Sequence, residues 1–253
     1  MFQEVHRRVS KMNKKAVSSN AVGLATMASS IEYIDNYNHW MLEKLRPYLG
    51  TSLLEVGTGQ GNFRKYFPTV NFYVSIDIDA KVIQRARDRY PNDVFIVADI
   101  AEKEFVQKLA DHGIDTILCA NVIEHIREDT KAIAHLLSVL RIDGYLFLFV
   151  PALPLLYNDM DRLAGHYRRY TKEMLANTVG AKGQIVLLEY FNPIGGIGWW
   201  VNKFFKHKDL DSKNINWQVM FFENYVVPVS KMLNPCTKGF FGQSLICVIR
   251  KKG

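Results

Sequence analysis

The chain has 253 residues, 48% of them hydrophobic and 23% charged, with a formal net charge of +7 at pH 7. That composition supplies a full core, so it argues against disorder and fits one large domain or two small ones. No apolar run is long enough to cross a bilayer, the opening "MFQEVHRRVSKMNKK" lacks a secretory apolar segment, and the three cysteines (Cys119, Cys236, Cys247) form no CxxC pair, which points away from a disulfide framework or zinc site and toward a cytoplasmic setting.

Part of the positive excess sits at Arg7, Arg8, Lys11, Lys14 and Lys15 and another part in "KFFKHKDLDSK" (203–213). Solvated faces explain it, and so would a polyanion, a phosphorylated substrate or a membrane surface.

Along the chain, Phe2, Val5, Val9 and Met12 have helical spacing. Residues 16–30 are small and polar and read as a loop. "IEYIDNYNHWMLEKLRPYLG" resumes an amphipathic helix that Pro47 and Gly50 end. Residues 1–50 therefore form an N-terminal helical segment, either a lid over the site or a frayed terminus. The main domain is expected over 51–253.

From residue 51 strands and helices alternate. "TSLLEVG" leads into three glycines, Gly57, Gly59 and Gly61, and then a helix to Phe67. "NFYVSIDID", "DVFIVADI", "IDTILCAN" and "GYLFLFVP" are further strands, separated by the helical runs "AKVIQRARDRY", "AEKEFVQKLADHG" and "EDTKAIAHLLSVLR". Apolar strands joined by helices imply βαβ units, a parallel sheet and a doubly wound α/β domain. Ligands of such a sheet sit at the carboxyl ends of its strands. Residues 151–170 show no periodicity, and a helix starts near Thr171 as N-cap. "GQIVLLEYF" is a sixth strand, residues 192–244 are a long aromatic-rich insertion, and "SLICVIRKK" is the last strand.

The glycine spacing is GxGxG, with Asn62 where a GxGxxG dinucleotide fingerprint has its third glycine. No Gly-Lys-Ser/Thr follows, so a P-loop is excluded. Glu55 enters the loop and would repel a pyrophosphate but not a cationic group. Asp77 after the second strand suits a ribose diol, and Asp99 after the third suits an exocyclic amine. Asp79 reads as a helix cap. Together these fit an adenosine with a positive, non-phosphate tail.

"LLEVGTGQGNF", "YVSIDID", "FIVADI" and "ILCANVIEHI", in this order and at these spacings, resemble the motifs of class I S-adenosylmethionine-dependent methyltransferases over about residues 50–190. The resemblance implies a seven-stranded Rossmann-like sheet whose last strand is antiparallel. It implies Glu55, Gly57 and Gly59 around the methionine part of S-adenosyl-L-methionine. It also implies Asp77 with Ile78 at the ribose, Asp99 with Ile100 at the adenine, and Asn121 near the methyl group.

Methyl transfer is an in-line displacement that needs the acceptor close and aligned, and a hydroxyl acceptor often needs a base. His125 of "NVIEHI" is one candidate, beside Glu124. The segment "PALPLLYNDMDRLAGHYRRYTKEML" holds more: Asp161 or His166 as base, and Tyr157, Arg168, Arg169 and Tyr170 as acceptor contacts, the arginines toward an acidic group. It resembles the "GHYRRYT" segment of a bacterial branch of these enzymes, some linked to lipid, sugar or glycan metabolism. The opposing reading is that "HYRRYT" docks the next helix and pairs with a carboxylate. The residues after strand four are not the Asp/Asn-Pro-Pro-aromatic of nucleic-acid amino methyltransferases, so no nucleic-acid partner is expected. No carboxylate triad marks a metal, and none is expected.

In the insertion, Ile197, Trp200, Val201, Phe204 and Phe205 share a helical face bordered by Lys203, Lys206 and Lys208. Val219, Phe222, Val226 and Val229 repeat the spacing, interrupted by Pro228. These faces are ordinary core, a cover over the acceptor in which Trp200 is a wall, or an interfacial anchor at an anionic membrane. A cover that is partly core is the expectation. The whole reads as a methyltransferase acting on a hydroxyl, before an amine, of a small molecule or a sugar- or lipid-linked acceptor. The rivals are a non-catalytic nucleotide-binding module with a basic, polyanion-binding surface, and a dinucleotide oxidoreductase, which the glycine spacing disfavours. The oligomeric state is not legible.

Overall fold

The computed structural model describes residues 34–59, 61–109, 112–204 and 220–253. The expected helix at 2–12, the polar stretch at 16–30 and residues 205–219, with Phe205, Lys206, Lys208 and Val219, lie outside the described residues.

The apolar runs form β1 (Ser52–Val56), β2 (Phe72–Asp77), β3 (Val94–Val97), β4 (Thr116–Ala120), β5 (Tyr145–Pro151), β6 (Gly183–Phe191) and β7 (Ser244–Lys251). They pair in the order β3-β2-β1-β4-β5-β7-β6. All neighbours are parallel except β7, which runs antiparallel to both β5 and β6. The chain leaves β1 toward β2 and β3 on one side and resumes at β4 on the other. Between β1 and β4 it therefore has a switch point, where an open α/β sheet leaves a crevice.

Strands this apolar need cover on both faces. On one face α3 (Lys103–Leu109), α4 (Asp129–Val139) and α6 (Lys172–Val179) pack on Leu54, Ile76, Ile117 and Leu148. On the other, α1 (Asp35–Glu43) buries Trp40, Met41 and Leu42 against Leu53, Tyr73, Phe147 and Phe191. Near the β3 edge of that face, α2 (Ala80–Arg89) packs Ile83 and Ala86 on Phe95. Asp79 caps α2 by accepting from the Lys81 N–H at 2.8 Å, and Thr171 caps α6 by accepting from Met174.

Three elements differ from expectation. After the glycine loop only a 3-10 turn, Arg64–Tyr66, forms. Pro68 disfavours helical backbone at Phe67, and the few residues left are too short for two turns. Phe67 and Val70 cover the sheet there instead. The aperiodic stretch after β5 holds a 3-10 turn, Pro154–Leu156, and α5 (Asp159–Leu163), the latter closed by a capping box between Asn158 and Asp161. A single helical turn and a half is too short to show a period. Most of the described insertion is helical: α7 (Pro193–Asn202), a π-helical turn at Phe222–Val226, and α8 (Val227–Thr237), with Pro228 in its first turn.

Long-range polar contacts fix the insertion on the domain. Glu223 accepts from the Asn36 N–H at 2.6 Å and the Tyr37 N–H at 3.2 Å, so its carboxylate satisfies free amides at the start of α1. Asn192, fully buried at φ 61°, caps α7 and bonds Ser230, Asn234 and Gln243.

Candidate active site

The sheet order places the ends of β3, β2, β1 and β4 side by side, so the four sequence motifs meet at one edge. Gly57, Gly59 and Gly61 all have positive φ. At Gly57 a Cβ would stand 2.4 Å from Val122 Cγ2, so the β1 loop and the turn after β4 touch only because Gly57 has no side chain. Asp77 ties the same loop to β2, accepting from the Gly59 N–H at 3.2 Å and the Asp79 N–H at 3.0 Å. Burial raises its carboxyl above the ordinary range, against the opposing pull of these two amides. Its neighbour Ile78 is half-buried. Asp99 accepts from the Ala101 N–H, and Ile100 is buried beside it. Asn121, at φ 53°, is exposed at the end of β4.

Glu55 is buried beneath this loop rather than pointing freely into it. One carboxylate oxygen accepts from Tyr73, from Ser75 at 3.0 Å and from Thr58 at 3.2 Å, while Oε1 has no partner. Burial pushes its pKa to about 7, against the three hydroxyl donors that favour the anion.

Beyond Asn121, a cavity of about 250 Å³ opens between the ends of β4 and β5, the start of β7, α1 and α7. Its wall includes Tyr37, Phe149, His166, Arg169, Trp199 and Ser244. Trp199, not the expected Trp200, faces it. Trp200 packs edge-on against Phe204 at 5.2 Å on the outer face of α7, where Ile197 and Val201 are exposed as well.

The "HYRRYT" segment is mostly internal framework, which corrects several expected roles. Arg169, 2% exposed, binds both Asp161 oxygens at 2.9 Å, donates to the Ala152 and Gln243 carbonyls, and lies over the Trp199 ring. Arg168 pairs with Asp129 at 2.6 Å and donates to the Arg127 carbonyl. The Tyr170 hydroxyl, also buried, donates to Asp129 at 2.8 Å. Both guanidinium groups are thus already paired inside the protein, and the acidic acceptor group expected to meet them finds no free charge there. Tyr157 donates to the His166 carbonyl and so steadies that residue's backbone.

Asp161 is saturated. It accepts from the Asn158 N–H, His166 Nδ1, Arg169 and Trp199 Nε1, which fills its lone pairs. Burial alone would raise its carboxyl, but the His166 and Arg169 contacts outweigh that and hold it below the usual range. A carboxylate so held is a poor proton acceptor. It orients His166 instead.

Beside His166 lies a group that sequence spacing could not assemble. Glu124, fully buried in the 3-10 turn Ile123–His125, approaches His166 Nε2 to 3.9 Å. His125 meets the His166 ring edge-on at 4.7 Å. Burial drives the Glu124 carboxyl up to about 7 and, with the His166 imidazole close by, drives His125 down to about 4. Glu124 and His125 are neighbours in sequence, but His166 arrives from the far side of β5. No local pattern announces the meeting.

Residues 54–148 match the family model described as a methyltransferase domain. A Mycobacterium tuberculosis protein named as a probable S-adenosylmethionine-dependent methyltransferase is 26% identical over 154 residues, which is 58% of this chain and 55% of that protein. An uncharacterized 37.1 kDa protein in a Streptomyces fradiae transposon is 25% identical over 151 residues, 57% of this chain and 44% of its own length. The chain thus spans about half the length of the curated relatives it matches. Among solved structures, the [4+2]-cyclase SpnF aligns with a TM-score of 0.58 at 16% identity, covering 99% of this chain and 93% of the cyclase. The N-methyltransferase NodS from Bradyrhizobium japonicum, in complex with S-adenosyl-L-homocysteine, aligns at 0.53 and 13% identity over 100% and 98%. At these identities the structures attest the fold, and the two proteins are named for different chemistries. Motif order, sheet order and the matched domain agree: residues 54–148 carry a methyltransferase domain, set in a Rossmann-like methyltransferase fold.

Proposed function

We propose that the chain binds S-adenosyl-L-methionine along the Gly57–Asp77–Asp99–Asn121 edge and methylates an acceptor held in the adjoining cavity. The observation that carries this reading is adjacency. Asn121 belongs both to the edge where the four motifs meet and to the cavity wall. An acceptor in the cavity is therefore next to the expected methyl group, which is the main requirement of an in-line displacement. The free lone pairs of Asp77 are acceptors for the cofactor's ribose hydroxyls, and the Glu55 carboxylate, buried beneath the glycine loop, favours a cationic ammonium above it.

In the transfer, an acceptor lone pair attacks the methyl carbon, the carbon–sulfur bond breaks with its electrons going to sulfur, and S-adenosyl-L-homocysteine leaves. A hydroxyl acceptor must also lose its proton. Of the ionisable groups lining the cavity among the described residues, Arg169 is locked to Asp161, and burial pushes the Tyr37 hydroxyl up to about 12. His166 remains, so the proton leaves at the His166 corner. The aromatic wall and the exposed apolar outer face of α7 favour an acceptor with a substantial apolar part, such as a lipid- or sugar-linked hydroxyl.

Calorimetry with S-adenosyl-L-homocysteine, followed by mass spectrometry of acceptor panels incubated with S-adenosyl-L-methionine, tests the reading. A mass gain of one methyl group on a hydroxyl-bearing amphiphile is expected. No binding of S-adenosyl-L-homocysteine would refute the cofactor assignment. Binding without turnover across the panel would support the non-catalytic nucleotide-binding module instead.

A further inference from the structure

Glu124 poses a problem for a purely structural account. It is fully buried, and neither carboxylate oxygen has a hydrogen-bond partner in another residue. Buried polar groups are normally paired, and a buried carboxylate without partners is costly. The neighbouring His125 Nδ1 is likewise buried and unpartnered. His166 Nε2 stands 3.9 Å from Glu124 Oε1. One ligand atom from each of Glu124, His125 and His166 lies within 4.8 Å of the others. We propose that these three residues form a binding site for a divalent transition-metal ion of the zinc class, at the edge of the acceptor cavity.

Four features support an ion over an ordinary buried network. The donor set is two imidazoles and one carboxylate, which suits zinc and its first-row neighbours, whereas magnesium and calcium prefer all-oxygen shells. The imidazoles are already oriented: Asp161 holds His166 Nδ1 at 2.9 Å, and the Gly165 backbone hydrogen-bonds His125. Such carboxylate and carbonyl partners of ligating histidines are the usual support of a metal site. A dication would compensate the Glu124 carboxylate, which burial otherwise disfavours. The spacing is also within reach. Ligand atoms around a tetrahedral ion stand roughly 3.4 Å apart, so side-chain rotations of about an ångström close the site.

Three protein ligands leave an open coordination position. His166 lines the cavity, so that position falls on the cavity side. An acceptor hydroxyl bound there would be acidified by the ion and would lose its proton to solvent water in the cavity, since the ion then holds the His166 lone pair. This role rests on the reading of the cavity as the acceptor site. The binding of the ion does not.

The test uses the full chain, freed of any tag and treated with chelator. Zinc is titrated by calorimetry with bound metal counted by mass spectrometry, and cobalt(II) is added as a spectroscopic probe. One zinc per chain and visible cobalt absorption of tetrahedral strength are expected. Glu124→Gln, isosteric and free of the buried charge, and His166→Gln are each expected to weaken zinc binding at least tenfold. S-adenosyl-L-homocysteine binding in the same samples reports folding and the cofactor site independently. Failure to take up zinc, retention of zinc by both variants, or preference for magnesium would each overturn the proposal. Zinc uptake without S-adenosyl-L-homocysteine binding would leave the metal site standing and would refute the cofactor assignment instead.

Discussion

Glu55→Gln isolates what the buried carboxylate under the glycine loop does. Burial lifts its pKa from the ordinary 4.5 to about 7 in the folded chain. Between those values the unfolded chain has released the proton while the folded chain still holds it, so stability falls as pH rises through this window. At roughly 1.4 kcal/mol per pH unit, the full difference is about 3 kcal/mol above pH 7, an upper figure because relaxation softens it. Gln keeps an oxygen for Tyr73, Ser75 and Thr58 and cannot ionise. The variant should match the wild type near pH 4.5 and gain on it progressively to pH 8, by up to about 3 kcal/mol, or roughly 5–10 °C in Tm for a chain of this size. Urea or thermal unfolding at pH 5, 6, 7 and 8 measures this. Other titrating groups are common to both proteins and cancel in the difference. Parallel stability curves for the two proteins across that range would refute the reasoning. A cofactor ammonium beside Glu55 would favour its anion, so S-adenosyl-L-homocysteine binding at pH 6 should release protons in the wild type and fewer in the variant, as calorimetry in buffers of different ionisation enthalpy would show.

Gly57→Val should abolish S-adenosyl-L-homocysteine binding, because the new Cβ falls 2.4 Å from Val122 Cγ2 at a φ of +76°; calorimetric binding at wild-type strength would contradict the loop assignment. Asp77→Ala removes the acceptor of the Gly59 and Asp79 amides and the proposed ribose contact, and should cost about 1.5–3 kcal/mol of cofactor affinity; an unchanged dissociation constant counts against it. Arg169→Met strands the buried Asp161 charge and should destabilise the fold by about 3–5 kcal/mol in urea unfolding. Unchanged stability with a raised KM would instead mark Arg169 as an acceptor ligand. Trp200→Ala with Phe204→Ala, on the exposed face of α7 and in the turn after it, should alter stability by no more than about 1 kcal/mol. Lost binding to anionic liposomes with activity kept on a soluble acceptor would identify that face as a membrane contact, whereas a melting point several degrees lower would show that it is packed after all.

Much of the fold was legible because it is written in local signals. Apolar runs of strand length, the glycine loop, and caps at Asp79 and Thr171 depend on residues within a few positions of each other. The order of the motifs then made the sheet and its ligand edge an expectation from the sequence. The site behind that edge was not legible, because it is made of long-range choices. Residue types in "GHYRRYT" suggested charges for a substrate, yet folding spends them on Asp161 and Asp129, and which carboxylate each arginine meets depends on how the segment after β5 folds back. Glu124 and His166 are brought together only by that same return. Glu223 caps α1 across most of the chain's length. The insertion shows the division most clearly. Helical spacing alone put Ile197, Trp200, Val201 and Phe204 on one face of α7 and left Trp199 off it. Which face would be buried was decided by docking: Trp199 donates to Asp161 and lines the cavity, so the apolar stripe, on the other side of the same helix, is left facing outward.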